Sequence, residues 1–109
     1  GVVQGAGQVF TEAIVYDEES GQLLTGSFVD YAMPRAGLVP RIRNAYHPVP
    51  TALNALGAKG VGESGCSGSL PALTNAVMDA LRPAGVGHLD TPYTPARVWE
   101  ALRAARARG

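Results

Sequence analysis

The sequence of 109 residues predicts a small α+β fold in which strands come first and helices last. Residues 12–47 are strand-rich in pattern, because β-branched runs and polar–apolar alternation are separated there by glycine and proline. Beyond residue 68, apolar residues recur with the period of a helix. Few aromatic side chains are available for the core, which is mostly aliphatic and thin for an independent domain. We therefore expect at most one domain, and a piece of a larger protein.

The N-terminal part predicts a helix end or loop followed by a β-hairpin. Residues 1–11 are glycine-rich and apolar, which is typical of a segment packed inside something larger. Residues 13–16 form one strand of the predicted hairpin, residues 17–21 a polar, acidic turn with glycine, and residues 22–25 the return strand. The chain starts at Gly1 rather than at a methionine, as expected of a boundary cut or a processed start.

A further strand is predicted before the middle of the chain. Residues 27–33 continue in an extended conformation until Pro34. Residues 41–46 then alternate polar and apolar side chains, which indicates a half-buried strand. Proline lacks the N–H that a strand donates, so Pro48 ends this strand.

A first C-terminal helix is predicted over about residues 69–82. Its N-cap is Ser67 or Ser69, with Pro71 in the first turn, and Gly85 lies just beyond its end. Its apolar face consists of Leu70, Leu73, Val77 and Leu81. The spacing of these residues, three or four apart, places them on one side of the helix.

The last helix is predicted over about residues 95–107. Thr94 followed by Pro95 is a cap and first-turn pair, and the terminal arginines suit the negative end of the helix dipole. Aromatic residues are not interleaved with those arginines, which favours a solvated helix end over a nucleic-acid surface.

Charge and cysteine content exclude several classes of function. Nine basic and nine acidic residues cancel, so nothing favours nucleic acid or an anionic membrane as a partner. No apolar run approaches the roughly 20 residues of a transmembrane span. The single cysteine, Cys66, excludes an internal disulfide and fits a reducing, cytoplasmic location. His47, Cys66 and His88 are too far apart to show metal-ligand spacing, so no metal ligands are predicted.

The most informative segment is the glutamate loop, residues 57–66, which begins GAKGVGESG. It contains the only lysine, Lys59, and places Glu63 among glycines, which allow backbone to approach a ligand closely. Two interpretations of Glu63 remain open from residue chemistry alone. It is either a general base or a carboxylate that complements the dipole of the helix that follows.

Two nucleotide-binding interpretations of the glutamate loop are disfavoured. Residues 60–65 match G-x-G-x-x-G, but a dinucleotide fingerprint follows a buried strand, and residues 47–54 contain two prolines. A glutamate in that loop would also repel a pyrophosphate. A Walker loop needs lysine followed by serine or threonine at the helix start, whereas Gly60 follows Lys59.

The glutamate loop resembles the catalytic loop of the molybdenum hydroxylases, the family of xanthine oxidase, aldehyde oxidase and aerobic carbon monoxide dehydrogenase. Other segments are similar to the bacterial large subunits in the same order: residues 3–8 (VQGAGQ), 16–36, 75–81 (NAVMDAL) and 94–99 (TPARVW). Ser64 and Gly65 stand where eukaryotic members have two prolines, so the carbon monoxide dehydrogenase branch is nearest. Residues 66–70 differ from the threonine, isoleucine and proline more usual there.

This resemblance implies that the chain is the C-terminal segment of a larger molybdopterin-binding domain in a large subunit. It assigns Glu63 as the base that accepts a proton from a molybdenum-bound hydroxide as that oxygen attacks an electrophilic carbon. The residues expected near the cofactor are Gln4, Gly5, Lys59, Gly60 and Gly62. In bacterial members the molybdopterin usually carries cytosine, and in the carbon monoxide enzymes the molybdenum lies beside copper.

The implied function is that of a molybdenum-dependent oxidoreductase which oxidises carbon monoxide, or hydroxylates an aldehyde or N-heterocycle with water as oxygen source. The implied partners are the remainder of the large subunit, an FAD-binding medium subunit and an iron–sulfur small subunit. The family's copper-binding cysteine and most cofactor contacts lie upstream, so the 109 residues alone are expected to bind no cofactor and to be inactive. The alternatives are a non-catalytic assembly module and, less favoured, a small dinucleotide-binding domain.

Overall fold

The computed structural model describes residues 1–108, and its regular structure is helical. The three α-helices are α1 (Val2–Phe10), α2 (Ser64–Leu81) and α3 (Pro95–Arg106), and two short 3-10 helices span Ala36–Leu38 and Arg82–Ala84. No helix among the described residues is long and apolar enough to cross a bilayer.

Helix α2 begins earlier than its sequence pattern predicted. Its first residue is Ser64 and its N-cap is Glu63, so Pro71 lies inside the helix rather than in its first turn. Glycines and an internal proline disfavour a helix here. The helix nevertheless extends, because its first turns pack against α1 and tertiary packing outweighs weak local propensity.

Small residues allow α1 and α2 to cross at very short range. A Cβ atom added to Gly65 would lie 3.0 Å from the backbone nitrogen of Val2, and one added to Gly1 would lie 3.0 Å from that of Cys66. One turn further along, a methyl group on Gly5 would overlap the hydroxyl of buried Ser69. The glycine-rich N-terminal segment is therefore a helix, and Gly1 at its N-cap and Gly5 within it are needed for the contact with α2.

The predicted start of the last helix is confirmed. Thr94 caps α3, its Oγ1 accepting a hydrogen bond from the backbone N–H of Arg97 at 3.4 Å, and Pro95 is the first helical residue. The α2–α3 end contains a small core made by Leu81, Val86 and Ala105. The backbone N–H of buried Tyr93 donates to the carbonyl of Val9 at 2.6 Å, which ties the end of α1 to the approach to α3.

The predicted hairpin is not confirmed as a strand pair. The chain reverses through Gly21, whose φ is 69°, and a single antiparallel bridge joins Tyr16 to Leu23. Residues 27–33 and 41–46 carry strand patterns but form no strand in the described chain. A strand requires a neighbour to accept its hydrogen bonds, and alternation of side chains does not supply one. The α+β prediction is thus confirmed for the helices, and its strands are not confirmed among residues 1–108.

The chain does not enclose its own core. Its radius of gyration is 18.2 Å, whereas a compact domain of this length has about 13 Å. Among residues 1–108 only five hydrophobic residues are buried, and large apolar side chains such as Leu53 are almost fully exposed. The thin core expected from the composition is therefore observed.

A tyrosine–glutamate hydrogen bond attaches the segment after the turn to the end of α1. The hydroxyl of Tyr31 donates to Oε2 of Glu12 at 2.6 Å. This bond, with lesser contributions from desolvation and the carboxylate's charge, raises the pKa of Tyr31 above its ordinary value of 10.0. A raised folded-state pKa means that the stabilisation is complete below pH 10 and is lost as pH rises through the folded pKa.

We expect the Tyr31→Phe variant of the complete polypeptide to lose this alkaline dependence. The thermal stability of the wild type should fall more steeply above pH 10 than that of the variant. In the ultraviolet difference spectrum, the wild type should show one tyrosine that ionises at higher pH than the others, and the variant should lack it. Tyr16→Phe, at an exposed position whose hydroxyl makes no hydrogen bond within residues 1–108, serves as the control. Identical alkaline profiles for Tyr31→Phe and wild type would contradict this account.

Candidate functional site

Glu63 lies at the N-terminal end of α2 and its side chain is exposed. Its φ and ψ are −85° and −25°, and its carbonyl accepts the N–H of Ser67 at 2.9 Å, so only its backbone takes part in the helix. Its carboxylate caps no N–H of the first turn, and within residues 1–108 it accepts no hydrogen bond and forms no ion pair. The carboxylate therefore makes no capping hydrogen bond, although its place at the N-terminal end of α2 still suits the positive end of the helix dipole.

The Glu63 carboxylate lies at an open recess of about 450 Å³, which we call the glutamate recess. It is lined by residues 60–64 and Ser67. A Cβ atom added to Gly60 or Gly62 would meet nothing within 4 Å. These two predicted cofactor residues thus leave free space beside the carboxylate, although neither adopts a positive φ.

A second recess, of about 670 Å³, adjoins the first and contains Lys59; we call it the lysine recess. It is lined by residues 48–50, by Leu56, Gly57 and residues 59–61, and by Ser64. Gly57 has a φ of 64°, so it is the one position of the glutamate loop where the backbone itself requires glycine. Since Gly60, Val61 and Ser64 line both recesses, Lys59 and Glu63 lie on one continuous surface.

The glutamate loop is supported by the asparagine that precedes it. The side-chain amide of Asn54 donates to the carbonyl of Ala58 at 2.8 Å, and its Oδ1 accepts from the N–H groups of Leu56 and Ala58 at 3.1 Å. These three bonds fix the turn immediately before Lys59. The position of the lysine is thus set by a local hydrogen-bond network that is independent of α2.

The two predicted residues on α1 have different environments. Gln4 is exposed, whereas Gly5 is buried against Ser69 and close to the carbonyl of Cys66. Gly5 therefore contacts the first turns of α2, the helix that begins after Glu63. The structure brings Lys59, Gly60, Gly62 and Glu63 together, and it gives Gly5 a packing role.

Sequence reasoning missed Ser64 and Ser67 as residues of the site. Both line the glutamate recess, and the Ser67 hydroxyl donates to the carbonyl of Glu63 at 3.3 Å. The signal that could have identified Ser67 is its position four residues after Glu63, one helical turn away. Placing the helix start at residue 69 concealed that relationship.

The histidines, the cysteine and the other carboxylates form no second cluster of functional side chains among residues 1–108. His88 is 80% exposed and pairs with Asp90 at 3.0 Å, well away from Glu63 in the sequence. Cys66 is partly buried in the first turn of α2. Among residues 1–108 no group of three or more potential metal ligands comes together.

Comparison with known proteins finds relatives of the chain. Residues 1–40 match the family of molybdopterin cofactor-binding domains. The chain is 37% identical to the carbon monoxide dehydrogenase large chain of Hydrogenophaga pseudoflava, over 94% of this chain and 13% of that protein. It is 40% identical to the nicotine 6-hydroxylase large subunit of Paenarthrobacter nicotinovorans, over 94% of this chain and 12% of that protein.

The fold agrees as well. The whole chain superimposes on the crystal structure of a Cu,Mo-CO dehydrogenase with a TM-score of 0.84 and 32% identity, and it covers 14% of that chain. It thus spans only about an eighth of the length of the curated relatives that it matches.

Proposed function

Since this chain belongs to the molybdenum hydroxylase family, we propose that it is the segment of a large subunit that supplies the catalytic base, Glu63. The observation that carries the proposal is the exposed Glu63 carboxylate, which has no hydrogen-bond partner within residues 1–108. A glutamate whose backbone is fixed in a helix end and whose carboxylate has no hydrogen-bond partner can act as a general base. The test is loss of turnover in Glu63→Gln with retention of the cofactor.

The residues around Glu63 fit a molybdopterin cofactor. Gly60 and Gly62 leave open space beside the carboxylate, so a planar group could approach the backbone closely. Lys59 supplies a positive charge on the same surface, and the cofactor carries phosphate. We propose that these residues, with exposed Gln4 and the backbone of Gly5, lie at the cofactor.

In the proposed reaction Glu63 accepts a proton from the water-derived nucleophile as this attacks the substrate carbon. The bound cofactor supplies the redox-active molybdenum that takes up the electrons. The Ser67 hydroxyl holds the carbonyl of Glu63, and the α1–α2 crossing fixes the helix that begins after it. This chain thus contributes the base and its support, and the substrate pocket comes from elsewhere in the subunit.

The substrate class of the proposed enzyme is a carbon that can accept an oxygen from water: carbon monoxide, an aldehyde or an N-heterocycle. The names of the relatives support two of these substrate classes, since one relative is named for carbon monoxide and another for nicotine, an N-heterocycle. We further propose that the cofactor is the cytosine form of molybdopterin, with copper beside the molybdenum if the substrate is carbon monoxide. We also propose that the partners are an FAD-binding subunit and an iron–sulfur subunit, and that the complex is cytoplasmic. The names "large chain" and "large subunit" of the relatives support an assembly of several chains.

We expect Lys59→Met to weaken cofactor retention in the complete large subunit by about 10- to 100-fold, because a charge-assisted hydrogen bond contributes roughly 1.5–3 kcal/mol. The measurement is the pterin released per subunit after dialysis, determined by fluorescence. Lys59→Arg keeps the charge and should retain most of the cofactor. Full retention by Lys59→Met would place the lysine outside the cofactor site.

A further inference from the structure

One extended segment of the chain has a backbone without hydrogen-bond partners. Residues 40–50 run without a turn or a bend between the 3-10 helix Ala36–Leu38 and the glutamate loop. Within the described residues, no backbone N–H or carbonyl of residues 41–50 takes part in a hydrogen bond. Buried backbone groups in folded proteins are almost always paired. This backbone is therefore satisfied either by water or by another part of the protein.

The side chains of this segment alternate as those of a strand do, although every residue from 41 to 50 is exposed. Ile42 and Tyr46 share one face of an extended chain, and Arg41 and Arg43 share the other. Ile42 lines an apolar cavity of about 330 Å³ together with Phe10 of α1 and Leu73 of α2. Ile42 thus faces the helices across this cavity while 40% exposed, and Tyr46 is 92% exposed.

The exposed area of the chain indicates the size of the missing partner. The accessible surface is 8672 Å², whereas a folded monomer of this mass exposes about 5,700 Å². The excess of about 3,000 Å² is several times the roughly 800 Å² that each protein buries in a standard interface. Packing within one larger subunit accounts for such an excess better than pairing with a second copy of this chain.

We infer that residues 41–46 form a β-strand whose partner is an edge strand of the large subunit outside residues 1–109. The inference rests on the proposed function, because that function supplies the remainder of the subunit. The unpaired backbone of the segment then bonds to the partner strand, and Tyr46 is covered by the same packing. The strand predicted from the alternating pattern is a real element whose partner lies outside this chain.

Hydrogen exchange of the complete large subunit, measured by mass spectrometry with and without cofactor, tests this inference. We expect amides of residues 41–46 to exchange at least about 100-fold more slowly than in a free peptide, independently of protein concentration. Exchange at the free-peptide rate would overturn the inference. Protection that grows with concentration would assign the edge to a second copy and would overturn it as well.

Proline substitutions in the complete large subunit identify which backbone N–H groups of residues 41–46 are hydrogen-bonded. Neighbouring residues of a strand present their N–H groups to opposite sides, so Arg43→Pro and Asn44→Pro remove bonds on different edges. We expect at least one proline variant to reduce the soluble yield about tenfold or more relative to alanine at the same position. If both proline variants match their alanine controls, the strand is not paired. If the amides are protected but the subunit contains no molybdenum, the proposed function is refuted and the inferred strand pairing stands.

Discussion

Glu63→Gln in the complete enzyme lowers kcat by about two to four orders of magnitude, the range that a general base contributes. Glutamine keeps the size and shape of the side chain but cannot accept a proton at neutral pH. The carboxylate makes no hydrogen bond within residues 1–108, so its replacement breaks no internal contact of the segment. Steady-state kinetics and metal analysis of the same preparation therefore separate lost chemistry from lost structure.

The matched control is Glu18→Gln, an identical change at an exposed carboxylate in the turn before Gly21. We expect it to retain wild-type kcat. Molybdenum content should be unchanged in both variants. If Glu63→Gln turns over at a rate near that of wild type, Glu63 is not the base. If it loses its molybdenum, the residue instead helps to hold the cofactor.

Gly5→Ala destabilises the complete subunit, and the expected cost is about 1–3 kcal/mol, as for other overpacked contacts. The added methyl group would overlap the Ser69 hydroxyl and would lie 3.2 Å from the carbonyl of Cys66. Helix α2 must then move away from α1, and Glu63 at its N-terminal end moves with it. We expect a lower melting temperature together with a lower kcat, because the base is displaced from the cofactor.

Two further variants isolate the cause. Ser69→Ala in combination with Gly5→Ala removes the overlapping oxygen and should recover most of the lost stability. Gly68→Ala lies on the same helix with nothing within 4 Å of the added Cβ, so it should be neutral or slightly stabilising. A Gly5→Ala subunit that melts and turns over like wild type would show that the crossing tolerates the methyl group.

The helices could be predicted from sequence because their signals are local. Thr94 and Pro95 start α3 where predicted, since a capping hydroxyl and a preset φ act within one turn. The start of α2 was misplaced for the opposite reason. Gly65 and Ser69 contact residues of α1 that are more than 60 positions away in the sequence. The local sequence around Pro71 contains no sign of that contact.

The predicted strands are not confirmed within residues 1–108, because the alternation of polar and apolar side chains contains no information about where a partner strand lies. Tyr16 and Leu23 meet because a glycine turn brings them together. Residues 41–46 have no such neighbour in the described chain. The candidate site could be proposed from sequence, since the glutamate loop holds Lys59, Gly60, Gly62 and Glu63 within a few residues, and its role stays a prediction. The contribution of Ser67 depended on a helix start that the sequence pattern misplaced.

If this chain completes a molybdenum enzyme, the metal content of the complete polypeptide shows it most directly. The polypeptide that contains these residues should be isolated from its source under native conditions and analysed by mass spectrometry for metals and by fluorescence for released pterin. We expect about one molybdenum and one pterin per large subunit. A folded, fully assembled protein that contains neither would contradict this expectation.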